Sequence, residues 1–181
     1  MEFLNPRYLS DAFEMMDSRE LKICAGLTHL LRFYRRFPEE LEMRPSALMH
    51  IGRLDALREC REEYKRYVIG ATTTVSDLEH DPMILKYCPA IAVAAQATST
   101  PQIRNRRTLG GEVAWGAYHS PLIVTLMALE AELRIRYRGE KGGQGREEFM
   151  SLESFYTGEK TRLAADGKKL VCREAKTSSR D

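Results

Sequence analysis

The sequence predicts an α+β protein of two lobes, and three observations carry that prediction. Over the first 55 residues, short apolar runs alternate with amphipathic stretches, and Gly26, Gly52 and Pro38 stand between them. Further on, Tyr67–Thr73 is rich in β-branched residues, and Glu132–Arg138 alternates Leu133, Ile135 and Tyr137 with charged side chains. Between these lies Leu122–Leu129, almost wholly apolar and opened by Pro121, which reads as a core helix. A chain of 181 residues is long enough to bury such a core.

The elements follow in order. Residues 11–18 read as a short amphipathic helix with Ala12, Phe13, Met15 and Met16 apolar and Ser10 as its cap. Leu21–Ala25 fits a buried strand that Gly26 ends. Thr28–Phe37 has helical spacing, with Leu30, Leu31, Phe33, Tyr34 and Phe37 towards one side, and Pro38 stops it. Residues 38–47 are a polar connection to a second strand, Leu48–Ile51, and Leu54–Leu57 makes a helical turn. The first lobe therefore spans residues 1–55. In the second lobe, residues 56–175, strand Tyr67–Thr73 leads to a short helix that Thr74 or Ser76 caps and that runs to His80. Ala90–Thr98 is helical. Gly139–Gly145 forms a turn after the alternating strand, Phe149–Phe155 continues the strand pattern, and residues 176–181 form a disordered tail.

Composition excludes several function classes. Twenty-eight basic and 26 acidic residues leave a net charge of +2, which favours neither nucleic acid nor a membrane surface. The basic groups at Arg32, Arg35 and Arg36 and at Arg104, Arg106 and Arg107 read first as solvated faces. Cys24, Cys60, Cys88 and Cys172 are isolated, with no Cys-x-x-Cys pair to hold zinc or an iron–sulfur cluster. Free thiols suit a reducing compartment, and no signal peptide or membrane-length apolar run is visible, so a cytoplasmic location is expected. Hydrolase signatures are missing: there is no Gly-x-Ser-x-Gly, no His-Glu-x-x-His and no P-loop. The spacing of His29, His50, His80 and His119 does not suggest a metal site.

Two glycine-containing segments are the candidates for chemistry. Cys24-Ala25-Gly26-Leu27-Thr28-His29-Leu30 lies at a strand-to-helix junction, where outward-pointing amides can hold a diphosphate. Pro101-Gln102-Ile103-Arg104-Asn105 runs on to Thr108-Leu109-Gly110-Gly111-Glu112, and a Gly-Gly pair lets the backbone approach a flat or charged ligand. Thr108 offers a hydroxyl, and Arg104 offers charge for a phosphate or a partner carboxylate.

The second segment resembles the Pro-Gln-Ile-Arg-Asn…Thr-(Ile/Leu)-Gly-Gly signature of the FAD-binding domain of the molybdenum hydroxylases, the family of the xanthine dehydrogenase and carbon monoxide dehydrogenase flavoprotein subunits. Other landmarks fall in the same order: Ala25–Leu30, Ile51-Gly52-Arg53, Ile69–Thr74, Asp81-Pro82, Leu129–Leu133 and Leu152–Gly158. The resemblance implies a two-lobed FAD-binding domain of the molybdopterin dehydrogenase (PCMH-like) type. It implies cofactor contacts at Ala25, Gly26, Leu27, Thr28, His29, Thr108, Gly110, Gly111 and Glu112. The implied partners are an iron–sulfur subunit and a molybdopterin subunit, with electrons passed on to NAD or another acceptor. The C-terminal lobe into which such flavoproteins usually continue is not found here.

Departures from the family pattern gather at these loops. Leu27 replaces the second glycine, which costs about 1–2 kcal/mol if φ is positive there, and its side chain would enter ligand space. His29 and His50 stand at often acidic positions. Arg107 replaces a glycine, and Glu112 replaces the usual Asn or Asp, so that its carboxylate would accept from a ribose or flavin, or repel a phosphate. No carboxylate lies between Ala117 and Leu122, leaving His119 or Ser120 as substitutes. Trp115 or Tyr118 would shield the flavin, or Trp115 would be core. Two functions stay open: a flavoprotein electron-transfer subunit with Arg104 and Arg106 as partner anchors, or a degenerate relative that has lost FAD and acts as a structural or regulatory partner.

Overall fold

The computed structural model describes residues 2–18, 21–38, 45–63, 66–116, 119–137, 147–157 and 171–178. The expected Gly139–Gly145 turn and Tyr118 lie outside them. The chain is α+β, built on two sheets.

The first sheet is parallel, in the order β1-β3-β2. Its strands are β1 (Glu2–Leu4), β2 (Leu21–Cys24) and β3 (Ala47–His50), with α1 (Leu9–Ser18) between the first two and α2 (Thr28–Arg36) as the crossover from β2 to β3. Ala47 pairs with both Glu2 and Leu21, which makes β3 the central strand. Its Ala47, Leu48 and Met49 are all buried, as suits a strand covered on both faces. Ala12, Leu21, Met49, Ile51, Leu54 and Leu57 form the core on one side. The three-residue β1 was not foreseen, because so short an edge strand carries too little alternation to read. On α2, Leu30 is buried but Leu31 and Phe37 are exposed, so the expected apolar side is only partly covered.

The second sheet is antiparallel, in the order β4-β5-β8-β6-β7: β4 (Cys60–Glu63), β5 (Arg66–Gly70), β6 (Glu132–Arg136), β7 (Glu147–Ser151) and β8 (Val171–Ser178). The central strand β8 was not anticipated. It pairs Lys176, Thr177 and Ser178 with Val68, Tyr67 and Arg66, where a disordered tail from residue 176 was expected. The strand expected over Tyr67–Thr73 stops at Gly70, since Thr73 N–H turns back to the Gly70 carbonyl and Thr72 N–H reaches the Leu57 carbonyl. The pattern expected to continue through Phe155 breaks after β7. Ser151 Oγ accepts from Ser154 N–H, and α9 (Leu152–Thr157) begins, with Leu152 and Phe155 buried at helical spacing.

The helices that follow β5 and precede β6 in the chain are locally specified. Thr74 caps α3 (Val75–His80) in a reciprocal capping box with Asp77, which settles the choice between Thr74 and Ser76. Asp81 accepts from Met83 and Ile84 N–H and starts α4 (Pro82–Tyr87), an unanticipated helix with proline at its first position. Then come α5 (Pro89–Ala97), α6 (Pro101–Arg104), α7 (Leu109–Trp115) and α8 (Pro121–Ala128). Leu122, Ile123 and Leu126 of α8 are buried in the larger core with Ile91, Ala95, Leu133, Ile135 and Phe155, while Val124 and Met127 are exposed. The helix thus covers the core with one face, not all round. Among the described residues no helix is long and apolar enough to cross a membrane.

Candidate cofactor site

The two glycine-containing segments meet. The first lies beyond the carboxyl end of β2, where ligands bind in open α/β sheets. A Cβ at Gly26 would overlap the carbonyl oxygen of Arg106, and would stand 2.8 Å from its carbon and 3.2 Å from Arg107 Cα. Only a glycine lets these two backbones pass so closely.

Leu27 has φ 60° and ψ 0°, the left-handed conformation in which a leucine is strained by about 1–2 kcal/mol. Its side chain packs against the Cys24, Leu30 and Leu48 cluster beside Tyr34. Hydrophobic contact thus draws the side chain expected in ligand space onto the small lobe. In this conformation Leu27 starts α2 without a side-chain cap. Leu31 N–H reaches back to the Leu27 carbonyl at 3.0 Å, but the N–H groups of Thr28, His29 and Leu30 find no acceptor among the described residues. An uncapped helix start of this kind carries partial positive charge and free donors.

The start of α7 is different. Leu109 N–H donates to the Thr73 carbonyl at 3.0 Å, Gly110 N–H to the Ala71 carbonyl at 2.8 Å, and Gly111 N–H to Thr108 Oγ1 at 3.2 Å. Although a Gly-Gly pair lets the backbone approach a ligand, all three amides at this helix start are used within the chain. Gly110 is buried against Ala71, Thr108 is buried as the helix cap, and Gly111 is exposed. Ala71 and Thr73 were not singled out from sequence as parts of this site. The only signal was their place in the Ile69–Thr74 landmark.

Glu112 also departs from expectation. Its side chain is 1% exposed and turned inward, with Oε2 2.6 Å from His29 Nε2 and Oε1 3.5 Å from an Arg107 guanidinium nitrogen. Burial acts to raise its pKa. The His29 hydrogen bond, the neighbouring Ser120 hydroxyl and the Arg107 charge act the other way and prevail, holding the carboxyl below its ordinary range. An ionised carboxylate only accepts, so the His29 ring donates from Nε2–H. Glu112 is thus engaged by His29 and Arg107 of the protein itself, where its carboxylate was expected to accept from a ribose or flavin or to repel a phosphate. Among the described residues, Ser120 Oγ is buried and makes no hydrogen bond of ordinary geometry, and neither does Arg107 Nε. Both were read from sequence as departures or substitutes, since nothing local signals their burial.

Aromatic contacts link the same two helices. The His29 ring stacks on Trp115 with centroids 5.2 Å apart and planes 16° apart, and Phe33 meets Trp115 edge-on at 5.8 Å. Trp115 remains 45% exposed, so it is not a core residue. His50 lies against Gly52 and His119 is exposed. Among the described residues no group of three or more His, Cys, Asp or Glu is arranged to hold a metal ion.

Arg104 is corrected as a ligand or partner anchor. Its guanidinium binds Glu79 at 2.9 and 3.3 Å and the carbonyls of Gln96 and Ser99 at 3.1 and 3.0 Å, with both charged side chains largely covered. Arg106 is exposed. Arg104→Ala is expected to lower unfolding free energy by about 2–3 kcal/mol, because it strands a half-buried carboxylate and two carbonyls. Arg106→Ala is expected to change it by less than about 0.5 kcal/mol. Urea unfolding of the two variants checks the contrast, and equal losses would contradict it.

The profile of the family described as the FAD binding domain in molybdopterin dehydrogenase matches residues 1–173. The chain belongs to this family. Its FAD-binding domain is 35% identical over 118 residues to the carbon monoxide dehydrogenase medium chain of Hydrogenophaga pseudoflava, covering 64% of this chain and 39% of that one. It is 30% identical over 156 residues to the putative xanthine dehydrogenase FAD-binding subunit XdhB of Escherichia coli, covering 83% and 49%. The solved carbon monoxide dehydrogenase of Hydrogenophaga pseudoflava superposes with a TM-score of 0.79 at 26% identity, over 100% of this chain and 60% of that one. The chain spans about half the length of the curated relatives it matches. These likenesses bear out the family and the α+β fold expected from the Pro101–Gly111 signature.

Proposed function

We propose that this FAD-binding domain holds FAD across the junction of residues 25–29 with residues 106–112, between lobes formed by residues 1–55 and 56–175, and acts as the flavin subunit of a molybdenum hydroxylase-type oxidoreductase. In this reading it takes electrons from an iron–sulfur partner, itself supplied by a molybdopterin subunit, and passes them to NAD or another acceptor. The observation that carries it is the uncapped start of α2: three adjacent amides, Thr28, His29 and Leu30, without acceptors among the described residues at a sheet's carboxyl edge. Those donors suit a diphosphate, and the Glu112 carboxylate is taken up by His29 and Arg107. Bound FAD would supply the redox chemistry. The chain's own part is to bind it at α2, to keep Gly111 and the half-exposed Trp115 beside it, and to limit water there.

A second reading has its own support. The amides of Leu109, Gly110 and Gly111 are internally bonded, as in a relative that has lost FAD and serves as a structural or regulatory partner. Titration of the purified chain with FAD, followed by visible absorbance and by Trp115 fluorescence, separates the two. The first reading expects saturable binding of a single equivalent with a protein-shifted flavin band. Absence of saturable binding in a folded protein would remove it and leave the second.

A further inference from the structure

We propose that Glu112 is a positioning residue of this site, acting through His29, a role that rests on the flavin reading above. The sequence places Glu112 one residue after the Gly-Gly pair, where a ligand contact is the natural expectation, but the fold turns its carboxylate away from solvent. That carboxylate receives His29 Nε2–H at 2.6 Å, across 83 residues of chain. His29 lies in the first turn of α2, immediately after Thr28, so its ring and its free amide move together. The other face of the assembly is Trp115, one turn along α7 from Glu112, on which the imidazole lies nearly flat. Arg107 supplies the second contact to Glu112 from the loop that touches Gly26. Several attachments thus join α2 and the loop before it to α7 and the turn before it: the His29–Glu112 hydrogen bond, the contacts of His29 and Phe33 with Trp115, and the Gly26–Arg106 backbone contact. The first of them depends on one carboxylate. Removing the acceptor of a buried hydrogen bond leaves its donor unsatisfied, whereas water replaces the acceptor of an exposed one. The pair therefore holds the amides of residues 28–30 in place before a ligand arrives, which lowers the ordering cost of binding.

Trp115 is the chain's single tryptophan, so its emission reports on the His29 ring without any cofactor. Glu112→Ala is expected to weaken FAD binding by about 10- to 100-fold and to change Trp115 emission in the FAD-free protein. Glu112→Gln keeps an oxygen that accepts from Nε2–H, and is expected to restore the emission and bring affinity within about threefold of the parent. If the alanine variant does not fold, Glu112→Asp, one methylene short of His29, serves in its place with the same expected loss. Parental emission in the folded alanine or aspartate variant would overturn the proposal, whatever happens to FAD. So would a glutamine variant as weak as the alanine one, since charge and not position would then matter. If the parent itself takes up no FAD, the flavin reading fails while the emission comparison still decides the role of Glu112.

Discussion

Gly26→Ala is expected to destabilise the domain by about 3 kcal/mol or more and to abolish measurable FAD uptake with it. The added methyl group would sit on the carbonyl oxygen of Arg106, with Arg107 Cα behind it. Neither neighbour is a side chain that can swing aside. The 103–107 turn is itself tied down: Arg106 and Arg107 N–H both donate to the Ile103 carbonyl, and the Arg107 carbonyl accepts from Val75 N–H at 2.8 Å. The two loops must separate or the turn must break, and separation also pulls His29 from Glu112. Chemical denaturation of the parent and variant measures the effect. A loss below about 0.5 kcal/mol, the range of ordinary surface changes, would show that the loops do not meet as described.

Gly110→Ala should cost about 2–3 kcal/mol, whereas Gly111→Ala should be close to neutral. A Cβ at residue 110 would lie 2.8 Å from both the Cβ and the carbonyl oxygen of Ala71, the same oxygen that accepts the Gly110 amide. At residue 111 the methyl would meet only Thr108 Oγ1, at 2.9 Å. There the strain on the cap is offset by about 1 kcal/mol of helix propensity gained over glycine. Thermal unfolding of both variants tests the contrast. FAD titration of Gly111→Ala adds a second readout, since weakened binding in a protein of unchanged stability would place the exposed side of residue 111 against the ligand.

How much was legible follows from how local each signal was. The caps at Thr74 and Asp81 and the Pro-opened helices each depend on side chains within three residues, so local sequence is enough to specify them. Even so, α4 went unread, because its cap coincides with the end of α3 at Asp81 and a six-residue helix shows too little periodicity. Strand β8 went unread because its place is conferred by β5 and β6, which flank it from far away in the chain. The junction of residues 25–29 with 106–112 was anticipated through the family signature, not through any property of either segment alone.

Sequence by itself determined the α+β class, the family, and the two glycine-containing segments that the fold brings together, because those are carried by patterns and motifs within a few residues of one another. Tertiary structure alone decided which donors remain free. Among the described residues the Leu109, Gly110 and Gly111 amides are taken by Thr73, Ala71 and Thr108, those of Thr28, His29 and Leu30 find no acceptor, and the Glu112 carboxylate meets His29. Whether an amide or a carboxylate is available depends on what the rest of the chain brings within about 3 Å of it; the Thr108–Gly111 cap is local to Thr108–Glu112, but the contacts with Ala71, Thr73 and His29 are not.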